Sequence, residues 1–384
     1  MLRRSPHAPC QHALSAVSRS LSESSSSSSS SAPWDSLSKN AHTRLTLGQR
    51  GEPGRASISG ITATVFGCTG FLGRYMVNVL GKMGSRVVVP TRGNDNSWQH
   101  LKPMGDLGQI NQMYWHPRSD KNIRTAVSKS NVVINLIGKP YKTKNFPLHS
   151  THVDIPQRIA QISADEGVDK LIHLSCLGAS EANTSEYYRT KAAGESAVRS
   201  EYPSATIVRP AHMFGTEDHL LRELALLSKK TPSLPVWGGG RSKMQPVHVQ
   251  DVALGIKELL FDDLTDGHTY CFAGPDVMTY RQLVDFVLKT LRTETQASNL
   301  PLFFGRASAY PREVMQKYIR FPLPVSMPMS YEFIRSLENQ QDYTFPDDAQ
   351  GLESLGIKPR AMSGLALDYL RVFREGGEGE LAGP

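Results

Sequence analysis

Cysteine is scarce in this chain, with Cys10, Cys68, Cys176 and Cys271 the only four among 384 residues. They are too few and too scattered for a disulfide framework or a zinc cluster, and they point to a reducing compartment. Long apolar runs are absent as well: stretches such as NVVINLIG and LALLS fall far short of the roughly 20 residues that a membrane helix needs. A soluble or peripherally bound chain is therefore expected. The formal net charge is +7, yet past residue 50 there is no Lys/Arg block. A dispersed excess of this kind speaks against nucleic-acid binding. No internal repeat is visible, and the composition, 39% hydrophobic and 21% charged, is that of an ordinary globular protein.

Acidic residues are missing from the first 22 positions, where Arg3, Arg4 and Arg19 stand among Ser and Ala. A short basic amphipathic helix of that composition is the mark of an organellar transit peptide, with the mitochondrion favoured over the chloroplast. Ser24 to Ser31 form an unbroken serine run that cannot build a core. Residues 1–55 are therefore expected to be a transit peptide and disordered leader, cut somewhere before residue 60.

From Gly60 to about Pro210, short apolar strands alternate with helical stretches. ITATVF (61–66), RVVVP (86–90), QINQMYW (109–115), NVVINLIG (131–138), KLIHLS (170–175) and ATIVRP (205–210) read as strands. Phe71, Leu72, Tyr75, Met76, Val79, Leu80 and Met83 recur at helical spacing, and helices are expected near 152–167 and 186–200. Near-continuous apolar strands suit a parallel sheet covered on both faces. The fold class is α/β, a Rossmann-type doubly wound parallel sheet with a smaller irregular C-terminal portion. Helices are also expected at 217–230, within 244–261 and at 279–291. The dinucleotide-binding domain is placed at 58–290, and a C-terminal extension rich in proline and aromatics, suited to docking, at 291–384.

Gly67-x-x-Gly70-x-x-Gly73 lies between the first strand and the first helix. A glycine turn there aims backbone N–H groups and the positive end of the helix at a pyrophosphate, so Gly67, Thr69, Gly70, Phe71, Leu72 and Gly73 are expected cofactor contacts. The second strand ends in PTRG, which offers Arg92 and no carboxylate before Asp95. A guanidinium fits a 2′-phosphate, so NADPH is favoured over NADH. Arg74 is a possible assistant. Asp106 and Leu107, before the third strand, are candidates for the adenine. Leu136, Ile137 and Gly138 end the fourth strand where the cofactor would cross the sheet edge. Tyr187-x-x-x-Lys191 places a phenol and an ammonium on one helix face. There the ammonium would lower the phenol's pKa and hold the nicotinamide ribose, making the pair a general acid/base. Pro210 closes the expected contacts.

With RPAHMFG (209–215) and VHVQDVA (247–253), these motifs resemble the extended or atypical short-chain dehydrogenase/reductases. Phrases such as ATVFGCTGFLGRYMVNVLGKMGS, LKPMGDLGQI and SNVVINLIGK resemble one branch of that family, the NADPH-binding accessory subunits of mitochondrial respiratory complex I. The resemblance covers about residues 60 to 290 well and the rest loosely. It implies partners among the subunits of the peripheral arm and its membrane junction, contact with lipid headgroups, and a location on the matrix side of the inner membrane. The family also uses a Ser or Thr about two residues beyond the end of the fifth strand. This chain has Leu177 there, with Ser175 at the strand end. Two readings follow: an accessory subunit that holds NADPH without turning it over, and an active NADPH-dependent reductase or epimerase with Tyr187 as acid, Lys191 as its support and Ser175 as orienter.

Overall fold

The computed structural model describes residues 59–318, 327–338, 345–346 and 349–374; the leader expected at 1–55 lies outside them. Seven strands form one parallel sheet: β1 (Thr62–Phe66), β2 (Arg86–Thr91), β3 (Ile110–Tyr114), β4 (Val132–Asn135), β5 (Lys170–Leu174), β6 (Thr206–Pro210) and, further on, β11 (Thr269–Phe272). Their order is β11-β6-β5-β4-β1-β2-β3. It reverses direction between β1 and β4, and that switch point is where open α/β sheets bind ligands.

Alternate side chains build two separate cores. Ala63 and Val65 of β1, Ile134 of β4 and Ile172 of β5 face helices α1 (Phe71–Lys82) and α6 (Val249–Leu259). Phe66, Val133 and Leu171 face the opposite side, toward α2 (Asp120–Val127), α3 (Ile155–Asp165) and α4 (Glu186–Glu201). Thr64, on that second side, donates its hydroxyl to the Ala126 carbonyl at 2.8 Å, so a polar residue in a buried strand is satisfied. A π-helical turn, Ser150–Asp154, leads into α3.

A third core lies beyond the sheet. It is built by α5 (Leu221–Lys230), α7 (Tyr280–Leu291), α9 (Tyr331–Glu338) and α10 (Met362–Leu370), around Leu224, Tyr280, Ile334 and Ala366. The short strands β7 (Met213–Phe214) and β10 (Val247–His248) pair with each other, as do β9 (Lys243–Met244) and β12 (Met278–Thr279). β8 (Ser233–Trp237) pairs with β13 (Gln296–Leu300), which is followed by α8 (Leu302–Tyr318). Residues on both sides of position 290 thus share one core. The helix at 279–291 begins on a capping box: Thr279 Oγ1 accepts from the Gln282 N–H, and the Gln282 side chain accepts from the Thr279 N–H. Among the described residues, no helix is long and apolar enough to cross a membrane.

Candidate functional site

The chain turns from β1 into α1 through Gly67, whose φ of 83° lies in the left-handed region that only glycine enters without cost. The Gly70 N–H donates to the Gly67 carbonyl at 3.0 Å. A Cβ on Gly67 would stand 3.1 Å from the Leu136 carbonyl, and one on Gly73 only 2.3 Å from the Gly67 carbonyl oxygen. The β4 exit and the first helical turn therefore pack directly on the loop. α1 has no side-chain cap and no acid in its first turn, which leaves its free N–H groups for an anion. These features fit a dinucleotide pyrophosphate.

A cavity of about 320 Å³ opens over this turn. Gly67, Gly70, Phe71, Leu72, Gly73, Leu136, Gly138, Tyr187, Lys191 and Pro210 are among the residues that line it. Thr69 is half-buried within the turn. Ile137 also stays outside the lining; its N–H donates to Asn135 Oδ1 at 3.1 Å, and its side chain packs on the core behind the sheet. Arg92 is exposed at the end of β2, with its guanidinium carbon 5.6 Å from the Phe146 ring centroid. Arg74 turns away to Glu217, 2.8 Å distant.

Asp106 and Leu107 are placed elsewhere. They form an exposed turn, in which the Gln109 side chain accepts from the Asp106 N–H at 2.7 Å and donates to the Gly81 carbonyl at 3.2 Å. β3 runs parallel to β1, so the residues that precede it lie at the sheet edge opposite the cavity. The stretch brought to the cofactor edge is the one after β3, where the Trp115 N–H donates to the Thr91 carbonyl at 3.1 Å.

α4 brings Tyr187 and Lys191 to the cavity. Lys191 is buried; its Nζ donates to the Leu174 carbonyl at 3.0 Å and would lie 3.1 Å from a Cβ on Gly138. Burial lowers the Lys191 pKa, against the opposing pull of Cys176 and Glu195. Burial, and then the neighbouring Cys176, push the Tyr187 phenol well above its ordinary range. This is opposite to the lowering expected from an adjacent ammonium, because burial dominates. Burial likewise pushes the Cys176 thiol up to about 12.

Behind the pair stands His152, whose Nε2 accepts from the Lys139 N–H at 3.2 Å. Its Nδ1 lies 2.9 Å from Thr190 Oγ1, and the Thr190 hydroxyl donates to the Tyr187 carbonyl at 3.0 Å. This chain assigns the neutral tautomer with its proton on Nδ1, in keeping with a pKa held well below the usual value by burial and by Lys191.

Leu177 is buried in the first core, with its N–H donating to the Pro210 carbonyl at 2.8 Å. It lines the cavity. Ser175 is buried too and lines the cavity, and its Oγ has no hydrogen-bond partner.

One wall comes from a part of the chain that the motifs did not reach. Ser330, Glu332, Phe333 and Ser336 also line the cavity. The Glu332 carboxylate accepts from the Ser185 hydroxyl at 2.7 Å and from the Tyr187 N–H at 3.4 Å. Lys142 lies 2.7 Å from Glu186, 2.9 Å from Glu313 and 3.3 Å from Glu332. It ties α4, α8 and α9 to the loop that leaves β4.

Residues 63–270 match the NAD dependent epimerase/dehydratase family. The chain is 42% identical over 333 residues to the mitochondrial NADH dehydrogenase [ubiquinone] 1 alpha subcomplex subunit 9 of Arabidopsis thaliana, covering 86% of this chain and 82% of that one. To the Mus musculus protein of the same name it is 39% identical over 336 residues, covering 84% and 83%. A dTDP-glucose 4,6-dehydratase from Streptomyces venezuelae, solved with NAD bound, shares the fold with a TM-score of 0.61 at 16% identity, over 83% of this chain and 98% of that one. With the glycine turn and the Tyr187–Lys191 helix in place, these likenesses show that the chain belongs to the NAD dependent epimerase/dehydratase family, in its alpha subcomplex subunit 9 branch.

Proposed function

We propose that this protein is an accessory subunit of mitochondrial respiratory complex I that holds NADPH at the β1–α1 turn and does not turn it over. The bound dinucleotide would supply binding energy: a ligand at a thousandfold excess over its dissociation constant stabilises the folded state by about 4 kcal/mol. Gly67, Gly70 and Gly73 would cradle its pyrophosphate, Arg92 its 2′-phosphate, and Lys191 the nicotinamide ribose. The protein would sit on the matrix side of the inner membrane, on the peripheral arm near its junction with the membrane arm, against other subunits and lipid headgroups.

The observation that carries this reading is Leu177, an apolar side chain that lines the same cavity as Tyr187. A methyl group cannot polarise a reacting carbonyl as a hydroxyl does. Native electrophoresis of mitochondrial membranes, probed for this chain, is expected to show it migrating with a respiratory assembly. A low-mass free pool alone would contradict the subunit role.

The second reading, a reductase or epimerase, is favoured by Ser175, whose unpartnered hydroxyl faces the same cavity as Tyr187. Multiple turnovers abolished by Ser175→Ala would establish it.

A further inference from the structure

Strands β2, β3 and β4 each deliver a cation just beyond their last residue. Arg92 follows Thr91, Arg118 lies four residues past Tyr114, and Lys139 four past Asn135. The two guanidinium carbons flank one aromatic ring, Phe146, at 5.6 Å for Arg92 and 5.0 Å for Arg118. Arg118 is also fixed by the loop that carries this ring: its guanidinium donates to the Asn145 carbonyl at 2.6 Å, and its backbone N–H to His116 Nδ1 at 3.3 Å. Lys139 lines the cavity, its ammonium 4.9 Å from the Tyr141 centroid.

Several basic side chains elsewhere in the fold meet carboxylates: Arg74 meets Glu217, Arg124 meets Asp165 and Glu166, Lys170 meets Asp266, and Arg209 meets Glu195. Among the described residues, no carboxylate pairs with Arg92, Arg118 or Lys139. Crowded like charges without a counter-ion are unfavourable, and they are relieved by a ligand that brings negative charge. The Lys139 pKa is lowered by burial and then by the charge of Arg92, and Arg92 shares the Phe146 ring with Arg118. Planar guanidiniums held on an aromatic face are arranged for the fork geometry of a phosphate monoester, which is close to a dianion at neutral pH.

We propose that Arg118 is a second specificity residue, closing with Arg92 on the 2′-phosphate of NADPH, with Phe146 as the platform that holds both guanidiniums. The proposal rests on the cofactor reading above. It adds a residue beyond the end of β3 to the single cation that the end of β2 provides. The site would equally distinguish 2′,5′-ADP from 5′-ADP.

The test is nucleotide titration of the full chain and of Arg118→Gln, Arg92→Gln and Phe146→Ala, using NADPH, NADH, 2′,5′-ADP and 5′-ADP as probes. Loss of one charge-assisted contact is expected to weaken NADPH and 2′,5′-ADP by about 10- to 100-fold in Arg118→Gln, with NADH and 5′-ADP unchanged. Unchanged NADH binding also reports that the variant is folded. Phe146→Ala is expected to erode the same preference. If Arg118→Gln keeps the parent preference while Arg92→Gln loses it, the role of Arg118 is overturned and the cofactor reading stands. Equal loss of all four ligands would make Arg118 a structural residue and overturn the proposal. A parent chain that binds NADPH no better than NADH would remove the cofactor assignment itself, and the clamp with it.

Discussion

Replacing Gly73 by alanine would place a methyl carbon 2.3 Å from the Gly67 carbonyl oxygen and 2.6 Å from the Cys68 carbonyl carbon and oxygen. Ordinary contact begins near 3.4 Å, and all three atoms are backbone, so no flexible side chain can swing aside. Either the glycine turn or the start of α1 must shift by about 1 Å, an overpacking that costs about 1–3 kcal/mol or more. Alanine recovers up to about 1 kcal/mol of helix propensity, and the balance remains destabilising. Gly364 in α10 is the internal control, because a Cβ there meets nothing within 4 Å. Gly364→Ala is expected to stabilise by about 0.5–1 kcal/mol. The assay is chemical and thermal denaturation of each variant with and without NADPH. In a domain of this size, each kcal/mol moves the midpoint by about 2–4 °C. Gly73→Ala is expected to melt lower and to lose the rise that NADPH gives the parent chain. The reasoning is refuted if Gly73→Ala is stabilised like Gly364→Ala, or if it keeps the parent's NADPH-induced rise.

Acid should weaken the fold through His173, whose pKa is lowered from 6.5 to about 3 by burial and by Lys191. The unfolded chain takes up this proton first, so stability is full above the unfolded value and falls by about 1.4 kcal/mol per pH unit below it. His173→Gln, able to accept from Asn135 Nδ2 as His173 Nδ1 does, is expected to flatten the urea-midpoint profile between about pH 6.5 and 4; an unaltered profile counts against the assignment. Lys142→Met leaves Glu186, Glu313 and Glu332 facing one another without their common cation. A cost of about 1–3 kcal/mol is expected, shrinking in high salt, and equal stability of the two chains would show that the contacts contribute nothing.

The parts of the site that were legible are those whose signal is local. The strand at 62–66, the glycine turn and the helix at 71–82 follow each other without a break, and Tyr187 and Lys191 lie one helical turn apart. Leu177 stood out because its place is counted from the end of a recognisable strand. Asp106 and Leu107 misled for a directional reason: GDLG is a good turn, but a parallel β3 carries its following residues, not its preceding ones, to the cofactor edge. β13, QASNL, has no strand-like pattern; its pairing with β8 decides its conformation. Glu332 lies 147 residues from Ser185, and no spacing rule links positions so far apart. Cys176 drew no attention because a lone thiol carries no motif; it comes into view only as a residue lining the cavity.

The most direct test of the central claim is the fate of the cofactor on the isolated, folded chain. The protein is purified, its bound nucleotide is identified after denaturation, and the near-ultraviolet absorbance of the reduced nicotinamide is followed while carbonyl compounds and quinones are supplied. The expected result is about one NADPH per chain and no loss of absorbance beyond a single equivalent. Continued loss through many equivalents, abolished by Tyr187→Phe, would contradict it.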